Sequence, residues 1–277
     1  MKRKMVIGML TMGMVLCGAM TVSAESDGYV ISASHGYGAV EHWEIKTIGM
    51  QDAAKDLGVE FNYKYADGDL QQEVADIENF VEMGTNYIIV GPCNSEGIVP
   101  VIEEAQDKGV AVGTCDIGIE GVDVASFVSS DNYGIGEIAA DYIGTEMNGE
   151  GEIAILTWPA ASATADRAKG FKDKMEEKYP NIKIVSEQDC NADRSSSLAA
   201  TESIIQANGD IKFVWGANAE MALGAYAATQ SLNRSDINVV AVDTDGEVME
   251  LSRMELTWLL QFLRIHIQWD IKLLRMQ

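Results

Sequence analysis

Along most of the chain, short apolar runs alternate with stretches whose apolar residues recur at three- and four-residue intervals. The runs read as strands: "YVISA" at 29–33, "VEFNYKYA" at 59–66, "NYIIVGP" at 86–92 and "VAVGTCD" at 110–116. The periodic stretches between them read as helices. "HWEIKTIGMQDAAKDLG" ends at Gly58, "LQQEVADIENFVEMG" is stopped by Gly84, and "SEGIVPVIEEAQDKG" is opened by Ser95. Strands separated by helices at this spacing need right-handed crossovers, which give a parallel sheet covered on both faces.

"DVASFVSSDN" brings a further strand to a seam near Ser130, after which the rhythm restarts. The strands "EIAILTW", "IKIVSEQ", "IKFVWGAN" and "INVVAVDTD" then alternate with four more helical stretches. The expected class is α/β, with two tandem doubly wound parallel-sheet lobes at 25–130 and 131–251. Sheets of this kind bind ligands beyond the carboxyl ends of their strands. Asp116, Asn191, Asn218 and Asp243 gather at those ends.

The first 24 residues follow a different rule. Lys2, Arg3 and Lys4 precede an apolar run, and Val22-Ser23-Ala24 supplies the small residues of a cleavage site. Residues 1–24 therefore read as a signal peptide, and the protein as exported to the periplasm or cell envelope. An uncleaved anchor is the competing reading, disfavoured by the Gly, Met and Thr content of the run. Cys93, Cys115 and Cys190 then remain, an odd number that closes no complete disulfide framework, and buried packing is the expected role of Cys93 and Cys115.

Charge and motif content narrow the chemistry. A formal net charge of -23 over 277 residues excludes nucleic acid and anionic membrane surfaces as partners. No metal-ligand spacing occurs, and no metal or cofactor is expected. The dinucleotide fingerprint, the triphosphate loop and the G-x-S-x-G nucleophile elbow are all missing from the sequence, so an enzyme is not expected.

"SSDNYGIGEIAADYI", "ADRAKGF", "NAEMALGA" and "VVAVDTDG" resemble, in order and spacing, segments of the type 1 periplasmic binding proteins of the ribose- and galactose-binding branch. The resemblance covers roughly residues 28–251. It implies a hinge between the lobes and a monosaccharide or polyol ligand held in the cleft. It also implies delivery to an ABC transporter permease, with membrane contact only through that permease or an anchor. By the same resemblance the ligand-binding residues are His42, Trp43, Asp116, Arg167, Asn191, Asn218 and Asp243. Trp43 is the expected stacking ring, and Asn218 doubles as a helix N-cap. Ile117, where an Arg normally follows the cleft Asp, and Ala192, in place of an aromatic, depart from the ribose pattern. Trp158 or Trp215 is the expected replacement surface, with core packing the competing role for each. A receptor-feeding role and a lac-repressor-type effector domain are the alternatives; the second needs an N-terminal DNA-binding motif where this chain has its leader.

From Ser252 the composition breaks: Gly, Ala, Val and Pro vanish and the net charge turns positive. Reverse-translated with free codon choice and read one nucleotide out of phase, "ELSRMELTWLLQFLRIHIQWDIKLLRMQ" can become "ELIKDGTYLAVAVPQDTHTVGYKAAEDA", which has the family's turn, strand and helix start. Residues 252–277 are therefore expected to be out of frame. The competing reading is an amphipathic helix carrying Leu256, Leu259, Leu260, Leu263 and Ile267. An out-of-frame tail removes the returning strand, and such a chain is expected to fold poorly and bind weakly.

Overall fold

The computed structural model describes residues 28–38, 40–243 and 246–254. The expected leader, 1–24, lies outside the described residues, as does the tail beyond 254. β1 (Val30–His35), β2 (Glu60–Tyr65), β3 (Tyr87–Gly91), β4 (Ala111–Cys115) and β5 (Ser126–Val128) form one sheet, ordered β2-β1-β3-β4-β5. β6 (Glu150–Thr157), β7 (Asn181–Asp189), β8 (Ile211–Gly216) and β9 (Asn238–Ala241) form a second, ordered β7-β6-β8-β9. Every described strand pair is parallel. In each sheet the first strand lies between the second and third. The strand order therefore reverses beside β1 and again beside β6, which opens a crevice at each carboxyl edge.

The connecting helices are α1 (Glu41–Leu57), α2 (Leu70–Glu82) and α3 (Val99–Asp107) in the first unit. α4 (Asn132–Glu146), α5 (Ser162–Lys178), α6 (Arg194–Ala207), α7 (Ala219–Ser231) and α8 (Gly246–Met254) follow. Side chains written into the sequence start many of them. Asp69, Asp131, Asp193 and Asn218 each accept a backbone N–H from the first turn of α2, α4, α6 and α7, each worth about 1 kcal/mol. Gly58 closes α1 with φ 69°, a left-handed value that costs glycine nothing.

Ser95 does not open a helix. Asn94 Oδ1 accepts from the N–H groups of Glu96 and Gly97, forming a turn, and α3 begins only at Val99. Ser95 is buried instead and bonds the second unit: its N–H donates to Ala160 O at 3.0 Å and its Oγ accepts from Ser162 N at 3.1 Å.

The cores are made where helices cover the sheets. Ile77, Phe80, Ile88, Val90 and Ile102 pack in the first unit. In the second, Trp215 lies flat on Phe171, with ring centroids 4.3 Å apart and an interplanar angle of 7°, a pairing worth about 1 kcal/mol beyond its burial. α4 and α5 approach backbone to backbone through two glycines. A Cβ on Gly136 would overlap Arg167 O, and one on Gly170 would overlap Tyr133 O. This close crossing fixes the depth at which Arg167 enters the interior.

Candidate functional site

The carboxyl ends of the two sheets face one another across a narrow cleft of about 80 Å3. Tyr37, His42, Trp43, Asp116 and Ile117 line it from the first unit, and Trp158, Thr164, Arg167, Ala192, Asn218 and Asp243 from the second. Hydrogen bonds cross beside it: Gly118 N donates to Ser162 Oγ at 2.8 Å, and Gly246 N to Glu41 Oε2 at 2.7 Å.

Asp116 immediately follows β4. Ile117 N donates to Cys115 O at 2.8 Å, closing a three-residue turn about Asp116 with φ 66°. Asp243, just beyond β9, also has positive φ, 79°. Non-glycine residues pay for that region of backbone space, and here both carboxylates that end a sheet of the cleft occupy it. Lys46 Nζ lies 2.9 Å from Asp116 Oδ1, and His42 Nε2 lies 3.1 Å from Oδ2. Burial alone would raise the Asp116 carboxyl, but the positive charge beside it, Lys46 first, outweighs burial and holds the group well below the usual carboxylate range. It is a permanent acceptor at neutral pH.

Arg167 is 5% exposed. Its Nε donates to Asn132 Oδ1 at 2.9 Å and its Nη1 to Ala217 O at 2.8 Å, while Nη2 stands 3.6 Å from Asp243 Oδ1. Asp173, also on α5, is taken by Lys169 and Tyr133. Asn218 caps α7 through Oδ1, at 2.9 Å from Met221 N, and still lines the cleft. These groups supply fixed acceptors on both walls and a guanidinium fork between them. That combination satisfies hydroxyl groups, which donate and accept at once.

Trp43 and Trp158 both line the cleft, and each is 4% exposed. The buried His35 ring lies 5.2 Å from Trp43 and Lys46 Nζ 4.7 Å from its centroid. Burial, followed by Lys46, pushes the His35 imidazole down to about 4, so it stays neutral. Trp158 lines the opposite wall, edge-on to Tyr37 at 4.8 Å. Trp215 is wholly in the core. Asn191 does not reach the cleft: it is exposed in the turn after β7, with φ 50°, and its neighbour Ala192 lines the wall instead. Sequence reasoning passed over Lys46, Tyr37 and Asn132. Lys46 had a signal, since it follows His42 by four positions and so shares its face of α1. Among the described residues no three His, Cys, Asp or Glu side chains gather as a metal site.

Residues 37–255 match the family model of the periplasmic binding protein domain. The chain belongs to the periplasmic binding proteins. A ribose import binding protein of Bacillus subtilis is 32% identical over 202 residues, 73% of this chain and 65% of that protein. A xylitol-binding protein of Mycolicibacterium smegmatis is 26% identical over 238 residues, 85% of this chain and 68% of that one. The chain thus spans about two thirds of its curated relatives, 65% and 66% for the ribose import binding proteins of Bacillus subtilis and Haemophilus influenzae. A carbohydrate transporter solute binding protein from Agrobacterium radiobacter, solved in complex with D-arabinose, superposes with a TM-score of 0.77 at 26% identity. That match covers 83% of this chain and 80% of the other. The α/β architecture of parallel sheets expected from the periodicity is the one this periplasmic binding protein has. These relatives carry the names of binding proteins, and none of the three is named as an enzyme. No helix among the described residues is long and apolar enough to cross a membrane.

Proposed function

We propose that this periplasmic binding protein is an exported solute-binding component that captures a monosaccharide or related polyol and delivers it to an ABC permease. Its lobes are residues 25–130 and 131–251, and its ligand lies between them. One observation carries this reading: Asp116 and Asp243, each at positive φ just beyond a strand, converge with Arg167 on a single cleft from two different sheets. The names of the relatives, which include ribose, xylitol and D-arabinose, support it.

Walls from both units enclose the cleft. A sugar enters only after the lobes part about a hinge, and its contacts to both walls then favour the closed arrangement. The bonds of Ser95, Gly118 and Glu41 across the seam belong to that closed arrangement. No bond of the ligand is made or broken.

Isothermal calorimetry with D-ribose, D-arabinose, D-allose, xylitol and myo-inositol tests the proposal, on this chain and on a version with the reading frame restored after Leu251. Heat is expected with at least one of them. Asp116→Asn and Asp243→Asn are each expected to weaken that binding tenfold or more, about 1.4 kcal/mol or above. No heat with any of the five on either protein refutes the reading.

A further inference from the structure

We propose that Lys46 is a positioning residue for the ligand: its ammonium holds His42 in one tautomer, leaves Asp116 free to accept, and covers Trp43. The proposal concerns the cleft described above and, in its binding part, rests on the sugar-capture reading.

Lys46 lies one turn beyond His42 on α1, so both side chains point to the same side. Its Nζ is 2.9 Å from Asp116 Oδ1 and 2.7 Å from His42 Nε2. An ammonium has three N–H donors and no lone pair, so it donates at both contacts. His42 Nε2 therefore accepts, and an imidazole nitrogen that accepts carries no proton. The His42 ring is then neutral, with its hydrogen on Nδ1.

That assignment settles a second contact. His42 Nε2 also stands 3.1 Å from Asp116 Oδ2. With the proton on Nδ1, neither of these two atoms has a hydrogen to give. Oδ2 then accepts nothing from His42, and Asp116 lines the cleft with that oxygen unclaimed by the imidazole. Without Lys46, Nε2 is free to carry a proton and donate to Oδ2, and the acceptor is consumed inside the protein. The lysine thus decides whether Asp116 serves the ligand or its own neighbour.

The same ammonium stands 4.7 Å from the centroid of Trp43, within the range of a cation held by an aromatic face. The far edge of the indole rests on Gly91, where a Cβ would lie 2.6 Å from two ring carbons. Trp43 is pinned between a glycine and a cation, which fixes its ring at the cleft wall.

The first test needs no ligand. In protein labelled with 15N in the imidazole rings, with the His42 resonances assigned by His42→Gln, the Nδ1–H tautomer is expected at neutral pH. In Lys46→Met, Nε2 is expected to carry the proton. An Nε2–H tautomer in the unaltered protein overturns the proposal, and so does an unchanged tautomer in Lys46→Met. The second test titrates D-ribose and xylitol into both proteins by calorimetry. Lys46→Met is expected to weaken whichever binds by about tenfold. Equal affinities overturn the proposal. If neither compound binds the unaltered protein, the loss falls on the capture of these two compounds, and the tautomer measurement decides the role of Lys46.

Discussion

Glu73 gives the sharpest test of the fold itself. It lies on α2, wholly buried, with Oε2 accepting the Cys93 N–H at 3.0 Å and Oε1 without a hydrogen-bond partner among the described residues. Burial pushes its carboxyl from the ordinary 4.5 up to about 7; the Cys93 N–H pulls the other way, and the charge of Asp76 adds to the rise. The folded value is the higher one. The stabilisation from this group is therefore complete below about pH 4.5 and is lost as the pH climbs through about 7. At about 1.4 kcal/mol per pH unit, the ionised carboxylate costs the fold about 3 kcal/mol. Glu73→Gln keeps an acceptor for the Cys93 N–H and removes the titration. Urea denaturation at pH 5, 6, 7 and 8 measures the difference between the two proteins, in which all other titrating groups cancel. The variant is expected to gain about 2–3 kcal/mol on the unaltered protein between pH 5 and pH 8. Parallel stability curves for the two proteins would refute the reasoning, because they would mean that Glu73 titrates alike folded and unfolded.

Three further outcomes follow from the same structure. Arg167→Met leaves Asn132 Oδ1 and Ala217 O without their donor and Asp243 without its neighbouring charge. At about 1–3 kcal/mol for each buried group left unpaired, a loss of about 3 kcal/mol or more is expected in urea, and one below about 1 kcal/mol contradicts the burial. Gly136→Ala drives a methyl group into the Arg167 carbonyl and Phe171 N; overpacking of about 2 kcal/mol is expected despite the gain in helix propensity. An unchanged denaturation midpoint would show that α4 and α5 do not cross as closely as described. Asn218→Ala removes the cap of α7 and is expected to cost about 1 kcal/mol of stability. The same variant should weaken ligand binding by calorimetry, whereas Asn218→Ser should restore the stability alone.

Much of this protein was legible residue by residue. Alternation and three-to-four spacing are properties of single elements, so the run from β1 to β9 could be read without knowing what packs where. Asp116 and Asp243 were found for the same reason: each closes an apolar strand, and strand ends in such sheets face the ligand crevice. Arg167 was named only through the family resemblance of its segment, and Asn218 by that resemblance and as a helix cap. Other assignments depended on neighbours distant in sequence. Ser95 looked like a helix cap but bonds Ala160 and Ser162 in the other unit. Asn191 turned outward because the turn after β7 puts Ala192 on the wall. Trp43, Trp158 and Trp215 are alike in one dimension, and only the packing separates two rings at the cleft wall from one in the core.

The amino-acid sequence by itself determined the order and type of the elements, the strand ends that carry polar groups, and the class of fold. Tertiary structure decided which of those groups meet, that Lys46 stands between His42, Trp43 and Asp116, and that glycines at 136 and 170 let Arg167 reach the cleft. The physical reason is range. Backbone propensity and hydrophobic period act within a few residues, whereas hydrogen bonds, ion pairs and steric contacts act between whatever surfaces the crossings of the chain bring within a few ångströms.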